Sequence, residues 1–522
     1  MIPQPHNLKI EDGKFILNSN TKIYASDNLL AVSKYLKELI MKPTGIMLED
    51  TSEKMVINSV NLELDESLKD LSPEGYLLDI SPDFIHIRAP QPAGVFYGIQ
   101  TLRQLMPIEI ESQKLLKNIE WDIHCVIIED FPRFRWRGFM FDSGRHFFSI
   151  DDIKQYIDLL AFLKMNTFHW HLTEDQGWRI EIKKYPKLTE VGSQRSDSKI
   201  GGWTSKKTRG EPHEGYYTQD EIREVIHYAE ERFIRVIPEI DVPGHSSAAI
   251  ASYPELGCTK ETISVPIKFG ILNDIYCAGQ EYTYEFLEDV FDEVLALFPS
   301  EIIHIGGDEV PKKHWKNCNV CKNKMKEEGL RNYDELQAYF TERIAKYITS
   351  KGRRVIGWND ILNDKTDRNI IGQHWLMTGK RQVRKHIDRG GDIVISNLFR
   401  YYLDYSYILT PLRKTYKFEP IAAYVKKSKQ NQILGVETPI WTEWIPNRER
   451  LDWQVLPRLV AVAETCWTQK EQKIFRNFTK RLEILMKRLQ YLEFKSSSLN
   501  EANPGILKRI FTFTKAFKWP AI

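Results

Sequence analysis

Short apolar runs alternate with amphipathic helical patterns over residues 131–490, and this alternation limits the possible folds more than any other feature. Eight of the runs are predicted to be strands, at residues 137–144, 167–172, 235–240, 301–307, 354–359, 370–375, 392–396 and 433–437. Helical patterns lie between most of them, at residues 151–165, 220–233, 284–298 and 334–348. Eight strands alternating with helices are typical of an α/β protein with a (β/α)8 TIM barrel. The doubly wound alternative needs a glycine-rich nucleotide turn after its first strand, and we find none.

Two further segments flank the predicted barrel domain of residues 131–490. Residues 1–130 predict a small α/β supporting domain, with strands in KFILNS, KIYAS, YLLDIS and DFIHIRA and helices at 30–40 and 93–106. Residues 491–522 predict a C-terminal helical tail, in which a loop precedes the short helix ILKRIFTFTKAF. The chain is therefore expected to have a supporting domain, a catalytic-sized domain and a tail.

Charge and hydropathy exclude several classes of partner. The formal net charge is +2 and no run of like charges occurs, which argues against nucleic acid or an anionic membrane surface. No apolar run approaches the roughly 18 residues of a transmembrane helix. The opening MIPQPHNLKIEDGKF does not have the pattern of a signal peptide. A mature periplasmic or secreted form and a cytoplasmic protein both fit such a start, and the oligomeric state is open.

The six cysteines do not predict a metal site. Cys318 and Cys321 form a CxxC, but a zinc ribbon needs a second CxxC and the sequence has none. A thiol pair or a local disulfide on a loop or helix end is therefore favoured. Cys258 and Cys277 bracket a loop-like segment and could also pair. Which of these cysteines form disulfides stays open.

Polar and aromatic residues follow nearly every predicted barrel strand. In such barrels the chemistry lies at the carboxyl ends of the strands. The residues at seven of these ends are Asp142 and Arg145; His169, His171, Glu174 and Asp175; Glu239, Asp241 and His245; Asp308 and Glu309; Trp358 and Asp360; His374 and Trp375; and Trp441 and Glu443. Their convergence predicts an active site at this rim.

The stretch HIGGDEV places two carboxylates, Asp308 and Glu309, directly after two glycines. One interpretation is a helix start, with Asp308 as the cap and Glu309 in the field of the helix N-terminus. The other is catalytic. Adjacent strand residues point to opposite faces, so both acids can face one pocket only if Gly306 and Gly307 let the backbone leave the pleat. Two close acids also push their pKa values apart, so one can stay protonated near neutral pH.

Glycoside hydrolysis suits such a doublet in one particular design. Ordinary retaining enzymes hold two carboxyl groups roughly 5–5.5 Å apart across the scissile bond, normally from different strands. Neighbours in sequence suit a reaction in which the substrate's own 2-acetamido oxygen attacks the anomeric carbon. The protein then supplies an acid for the leaving oxygen and a carboxylate for the acetamido N–H.

Seven motifs together resemble the β-N-acetylhexosaminidases of glycoside hydrolase family 20. They occur in the family's order and span residues 120–490: DSGRHF (142–147), FHWHLTEDQGWRIEI (168–182), VIPEIDVPGH (236–245), IHIGGDEV (303–310), GWND (357–360), YLDY (402–405) and WTEW (441–444). The resemblance implies an exo-acting retaining enzyme that removes terminal β-linked N-acetylglucosamine or N-acetylgalactosamine from glycans, without metal or organic cofactor.

The resemblance also implies roles by position. Glu309 would be the general acid and then the base, Asp308 would orient the acetamido group, and Tyr402 would donate its hydroxyl to the acetamido oxygen. The remaining expected substrate-binding residues are the pocket walls Trp358, Trp375 and Trp441, the hydroxyl ligands Arg145, Asp404 and Glu443, and the supports of Glu309, namely His245, Glu174 and Asp175. Many family members have Asp-Asp where this chain has Glu174-Asp175, which changes the reach of the first carboxylate.

Simpler roles and other functions are weighed beside these. His169 and His171 share a face of one strand and are expected to be hydrogen-bonded residues rather than metal ligands, and Trp136 and Trp315 are expected in the core. A non-catalytic sugar-binding barrel has no need for a proton donor such as Glu309. A chitinase-like endo-enzyme carries a spaced acidic motif on one strand, which this sequence lacks.

Overall fold

The computed structural model describes residues 1–505 and residue 509, and a seven-stranded sheet occupies the first 130 of them. The order across the sheet is β1-β7-β5-β6-β4-β2-β3, and the strands are β1 (Asn7–Ile16), β2 (Lys22–Ala25), β3 (Glu49–Asp50), β4 (Ser59–Leu64), β5 (Tyr76–Ile80), β6 (Phe84–Ala89) and β7 (Asp122–Asp130). The two helices of this region are α1 (Leu30–Thr44) and α2 (Pro92–Leu105). The predicted α/β type is confirmed, although β3, β4 and β7 were not predicted and β1 begins earlier than expected.

A closed barrel of eight parallel strands follows, so the predicted (β/α)8 fold is confirmed. The strands after the first sheet are β8 (Trp136–Asp142), β9 (Thr167–His171), β10 (Thr173–Glu174), β11 (Gly177–Trp178), β12 (Gln194–Arg195), β13 (His213–Glu214), β14 (Arg235–Glu239), β15 (Ile302–His304), β16 (Arg354–Trp358), β17 (Ile371–His374), β18 (Ile393–Ile395) and β19 (Ile433–Ile440). The barrel runs β8-β9-β14-β15-β16-β17-β18-β19 and closes on β8, while β10 to β13 form two small ribbons after β9.

Helices follow most of the barrel strands and cover the barrel from outside. They are α3 (Ile150–Phe162), α4 (Lys187–Glu190), α5 (Gln219–Glu230), α6 (Ser247–Ser252), α7 (Glu281–Leu297), α8 (Lys313–Asn317), α9 (Asn319–Glu327), α10 (Tyr333–Ser350), α11 (Lys380–Asp388), α12 (Leu398–Tyr401), α13 (Leu412–Lys417), α14 (Arg448–Val455), α15 (Arg458–Trp467), α16 (Phe475–Tyr491) and α17 (Leu499–Ala502). Capping boxes at Ser149 and Thr218 begin α3 and α5. Because the barrel strands are buried on both faces, they read as nearly continuous apolar runs.

The N-terminal sheet contacts the barrel at the end opposite the rim. Arg137, near the start of β8, makes two bonds of 2.7 and 2.6 Å to the carboxylate of Glu74. Lys164 Nζ lies 2.9 Å from Asp130 Oδ2, and the indole of Trp467 donates to Asp130 Oδ1 over 2.9 Å. These contacts are charge-assisted and buried on the barrel side, which makes them strong. The sheet therefore supports the amino ends of the strands and leaves the carboxyl ends free.

The last helices lie beyond the barrel strands. α16 ends at Tyr491 and α17 spans Leu499–Ala502, whereas the helix predicted at 506–517 lies outside the described residues, apart from Arg509. The domain divisions at 130/131 and 490/491 stay predictions. Within the described part of the chain, none of the helices combines the length and apolar character needed to cross a bilayer.

Candidate active site

The loop after β15 presents the two carboxylates because both glycines adopt left-handed backbone angles. The φ angles are +64° at Gly306, +97° at Gly307 and +48° at Glu309. A Cβ on Gly306 would lie 1.7 Å from Asp241 Oδ1, the same oxygen that accepts the Gly307 N–H over 3.0 Å. The backbone thus leaves the pleat as the glycine pair predicted. Asp308 does not cap a helix, because the next helix, α8, begins at Lys313.

The two carboxylates of the doublet occupy different depths. Asp308 is 8% exposed, whereas the side chain of Glu309 is 36% exposed. Burial, followed by the charge of Asp241, raises the pKa of Asp308 well above its usual range. Asp308 Oδ1 has no hydrogen-bond partner among the described residues, so it is free to accept a bond from a ligand. The doublet therefore offers a deep acceptor and a carboxyl group nearer solvent.

The carboxyl ends of the barrel strands surround a cavity of about 390 Å³. This volume lies near the lower end of the roughly 300–1,000 Å³ of small-molecule sites. Of the predicted site residues, those lining it are Arg145, Glu174, His245, Asp308, Glu309, Trp375, Tyr402, Asp404, Trp441 and Glu443. Asp175 and Trp358 lie behind this lining. Ten of the twelve predicted site residues therefore line one pocket. Six further residues of the predicted rim do not line it: Asp142, His169, His171, Glu239, Asp360 and His374.

Aromatic rings form one side of the cavity. Trp375 and Tyr402 lie nearly parallel, with ring centroids 6.1 Å apart and an interplanar angle of 22°. Trp358 is fully buried and packs behind Trp441, with centroids 5.6 Å apart, while its indole donates to Glu239 over 3.0 Å. Burial, then the charges of Asp308 and Asp404, raises the pKa of Tyr402 well above its usual range, so its hydroxyl keeps its proton and can donate.

Glu174 joins three positively charged or chargeable groups beneath Glu309. One carboxylate oxygen lies 2.9 Å from Arg145 Nη2 and 3.2 Å from His171 Nε2, and the other lies 2.6 Å from His245 Nδ1. His245 Nε2 in turn lies 3.8 Å from Glu309 Oε2. Asp175 accepts a bond from the Ser247 backbone N–H over 2.9 Å. A chain of contacts thus runs from Glu174 through His245 to Glu309, and Asp175 holds the segment that follows His245.

A second polar cluster contains Arg145, Asp404 and Glu443. Arg145 Nε lies 3.6 Å from Glu443 Oε1, and its guanidinium stacks over the ring of Trp441 at 4.6 Å. Burial and the charge of Glu443 raise the pKa of Asp404 well above its usual range. Burial also raises the pKa of Glu443. Within the described residues, Asp404 Oδ1 and Arg145 Nε lack hydrogen-bond partners, so both are available to a polar ligand.

The histidines inside the barrel are hydrogen-bonded, as expected from the sequence. His169 Nδ1 lies 2.7 Å from Glu437 Oε1, and His171 Nδ1 lies 2.5 Å from Glu239 Oε2. His304 Nδ1 lies 2.8 Å from the other oxygen of Glu239. Burial lowers the pKa of His171, but Glu239 and Glu174 raise it by more, so its pKa lies well above its usual range. These pairings give each of the three histidines a buried carboxylate partner.

Several cavity-lining residues were given no individual role from the sequence: Trp203, Asp241, Gly270, Leu398, Phe399, Tyr405, Leu409 and Trp444. Asp241 was expected at the rim, and the structure adds its role, since its carboxylate accepts the Gly307 backbone N–H. Trp444 lies in WTEW, one of the motifs noted. Trp203 and Gly270 come from long loops between β9 and α7, and no local pattern marks them.

We expect Glu174→Gln to lower the free energy of unfolding by about 3–5 kcal/mol, because it leaves buried positive groups without their counter-charge. Urea unfolding measures the change. Glu174→Asp is the matched control, since it keeps the charge with a shorter reach and should lose less. Equal losses in the two variants would contradict a charge role and indicate a packing role.

The pairing of Glu174 with His245 also predicts the pH range in which it stabilises the fold. Burial raises the pKa of Glu174, but Arg145 and His245 lower it well below its usual range. The stability that ionised Glu174 contributes is complete above its pKa in the unfolded chain, about 4.3, and is lost as pH falls. Burial lowers the pKa of His245, but Glu174 raises it well above its usual range. The stability that protonated His245 contributes is complete below its unfolded pKa of about 6.5 and is lost as pH rises. The free energy of unfolding of the wild type should therefore exceed that of Glu174→Gln most between about pH 4.3 and about pH 6.5.

Comparisons with known proteins agree with this geometry. Residues 134–470 match the model for the catalytic domain of glycosyl hydrolase family 20, and residues 1–131 match the model for domain 2 of that family. A beta-hexosaminidase of Porphyromonas gingivalis is 38% identical over 499 residues, covering 92% of this chain and 62% of that protein. A beta-hexosaminidase of Vibrio furnissii is 35% identical, covering 89% of this chain and 76% of that protein.

A solved structure agrees as well. The family 20 exo beta-N-acetylglucosaminidase of Vibrio harveyi, in complex with N-acetylglucosamine, superposes with a TM-score of 0.84 at 31% identity, covering 96% of this chain and 78% of that one. The chain spans under two thirds of the Porphyromonas relative, but most of its own length is matched in each case. With more than half of its residues matched by the catalytic-domain model and its rim built as described, this chain belongs to glycosyl hydrolase family 20.

Proposed function

We propose that this chain is an exo-acting, retaining β-N-acetylhexosaminidase that hydrolyses terminal β-linked N-acetylglucosamine or N-acetylgalactosamine by substrate-assisted catalysis. The observation that carries the proposal is the split of the doublet into a deep Asp308, whose Oδ1 has no partner in the described part of the chain, and a more exposed Glu309. The neighbouring phenol of Tyr402, which keeps its proton, supplies the third group that this reaction needs. Family membership and the names of the relatives support the same activity.

In the first step, the substrate's acetamido oxygen attacks the anomeric carbon while the glycosidic bond breaks. Asp308 accepts a hydrogen bond from the acetamido N–H, and Tyr402 donates one to the acetamido oxygen, so that oxygen is aimed at the carbon. Glu309 gives its proton to the leaving oxygen. The product is a cyclic oxazolinium ion, whose positive charge favours the ionised form of Asp308.

In the second step, water opens the oxazolinium ion on the face that the leaving group occupied. Glu309, now a carboxylate, takes a proton from the water as the water oxygen bonds to the anomeric carbon. The bond from that carbon to the oxazolinium oxygen breaks, which restores the acetamido group. Two displacements on one carbon retain its configuration. The imidazole of His245, held by Glu174, lies 3.8 Å from Glu309 and is placed to keep its carboxylate oriented through both steps.

The polar cluster of Arg145, Asp404 and Glu443 supports recognition of one terminal sugar. Asp404 Oδ1 and Arg145 Nε have no hydrogen-bond partner among the described residues, and both belong to residues lining the cavity. Bound hydroxyl groups at the non-reducing end would satisfy these atoms. A cavity of about 390 Å³ suits a single sugar ring better than a chain of them. The aglycone would leave past Glu309, the more exposed acid.

A chromogenic aryl N-acetylglucosaminide tests the proposed function most directly. We expect the wild type to release the aryl group. The double variant Glu309→Ala with Asp308→Ala should not release it. Binding of N-acetylglucosamine without any hydrolysis would instead identify a sugar-binding barrel and overturn the proposal.

We expect cleavage of chito-oligosaccharides to proceed one sugar at a time from the non-reducing end. The hydroxyl ligands would consume the terminal sugar's 3-, 4- and 6-hydroxyls, and a buried polar group left unpaired costs about 1–3 kcal/mol. A reducing-end-labelled oligosaccharide should therefore give a ladder that shortens by single residues. Early mid-chain fragments would mean an open cleft and would contradict the roles of Arg145, Asp404 and Glu443 together.

A further inference from the structure

Four of the six cysteines meet at one point beside the rim. The sulfur atoms of Cys258, Cys277, Cys318 and Cys321 all lie within 4.8 Å of one another, and all four are free thiols. Three Sγ–Sγ distances are 3.8 Å (Cys258–Cys321), 3.9 Å (Cys277–Cys318) and 3.6 Å (Cys277–Cys321). The cysteines of the CxxC and those of the loop therefore form one cluster rather than two separate pairs.

These separations fit a tetrahedral metal–thiolate centre. Zinc bonds thiolate sulfur at about 2.3 Å, so two sulfurs of a regular tetrahedron lie about 3.8 Å apart. A disulfide needs about 2.05 Å, and each sulfur can bond only one partner. Here Cys277 and Cys321 each have two close sulfur neighbours. We propose that these four cysteines bind one zinc ion in a structural site with four thiolate ligands, separate from the catalytic residues.

The backbone brings the two halves of the cluster together closely. An antiparallel bridge between Gly257 and Tyr276 sets Cys258 beside Cys277. Cys318 precedes the first residue of α9, and Cys321 lies in its first turn. A Cβ on Gly279 would lie 2.5 Å from the backbone nitrogen of Cys321, so only glycine lets the loop approach this helix.

Thiolate is the form of cysteine that binds metal, and the local backbone favours it at two of the four positions. The amino end of α9 adds a positive field at Cys318 and Cys321. Three of the four sulfurs belong to buried residues and Cys258 is half-buried, as in a closed structural site.

The cluster closes the base of a loop that reaches the proposed sugar pocket. Between Cys258 and Cys277, Gly270 lines the cavity and Phe269 packs against Trp444 with ring centroids 5.2 Å apart. The indole of Trp315, which follows the loop carrying the acid doublet, donates to the Tyr276 carbonyl over 2.9 Å. The ion would thus fasten a pocket-lining loop to the segment after Glu309. Loss of the ion should lower Tm. It should also raise KM by a larger factor than it changes kcat.

Metal analysis of the wild-type chain, purified without chelator, tests the proposal. We expect about one zinc ion per chain, released by a thiol-blocking mercurial. Exchange with cobalt should give the charge-transfer and d–d bands of a tetrahedral cobalt thiolate. Zinc should be lost from Cys258→Ser, kept in Cys258→His, which retains a zinc-binding side chain, and kept in the control Cys125→Ser, which removes a buried cysteine outside the cluster.

The alternatives give different results from the same samples. Disulfides would leave fewer than six reactive thiols in denatured, unreduced protein, with no zinc released. Six free thiols in a protein that neither contains zinc nor takes it up would also overturn the proposal. Both measurements use the wild type, so they decide the matter even if a cysteine variant fails to fold. Chelator should lower the Tm of the wild type and of Cys125→Ser but leave that of Cys258→Ser unchanged.

Discussion

Replacing Glu309 with glutamine is expected to slow hydrolysis of an N-acetylglucosamine disaccharide by about 10²–10⁴-fold, the usual contribution of a general acid. Glutamine keeps the shape of the side chain but has no proton to give to the leaving oxygen. Because Glu309 is more exposed than Asp308, the change should leave the terminal-sugar pocket intact. Substrate binding should therefore persist, and the loss should appear in kcat.

Two comparisons separate lost acid catalysis from lost structure. Activated aryl glycosides need less protonation of the leaving group, so their hydrolysis should suffer less than that of the disaccharide. Glu301→Gln is the matched control, because Glu301 is an exposed acid just before the same strand, β15, at its far end from the pocket. A Glu309→Gln variant that cleaves the unactivated disaccharide at the wild-type rate would refute the assignment of the acid.

The barrel was predictable because its strands are buried on both faces. Ile302–His304 and Ile433–Ile440 are wholly buried, and each begins with apolar residues that stand out from the amphipathic helices around them. The N-terminal sheet was harder to predict. β1 is exposed along most of its length, and its pairing with β7 contains a bulge between Ile10 and Lys14, so neither strand has a clean alternation.

Site residues were predictable where short motifs place them at strand ends. The glycines before Asp308 carried information because their positive φ angles turn the doublet toward the pocket. Residues contributed by long loops, such as Trp203 and Gly270, carry no comparable pattern. The cysteine cluster was missed for the same reason: a search for a second CxxC cannot find Cys258 and Cys277, which a whole loop separates and one β-bridge joins.

The acetamido group of the substrate is expected to dominate both the rate of the proposed reaction and its inhibition. If the acetamido oxygen is the nucleophile, aryl glucosides without an acetamido group should be nearly inert. In the proposed reaction Asp308 orients the acetamido group and does not itself attack the anomeric carbon. A thiazoline that mimics the cyclised intermediate should inhibit strongly, since analogues of the transition state bind about 10²–10⁸-fold more tightly than substrates. Steady-state rates on matched aryl glucoside and N-acetylglucosaminide pairs and thiazoline inhibition constants measure both effects.

Asp308→Asn separates this mechanism from simple recognition of the acetamido group. The amide keeps a hydrogen-bond acceptor for the acetamido N–H but removes the negative charge that stabilises the oxazolinium ion. Since that positive charge develops only as the ring closes, the variant should lose more of kcat than of substrate affinity, and it should bind the thiazoline less tightly. Comparable rates on glucoside and N-acetylglucosaminide would show that the acetamido oxygen does not attack. In that case the nucleophile would have to be a carboxylate, and Asp308, buried beside Asp241 with its pKa raised, would be poorly suited to that task.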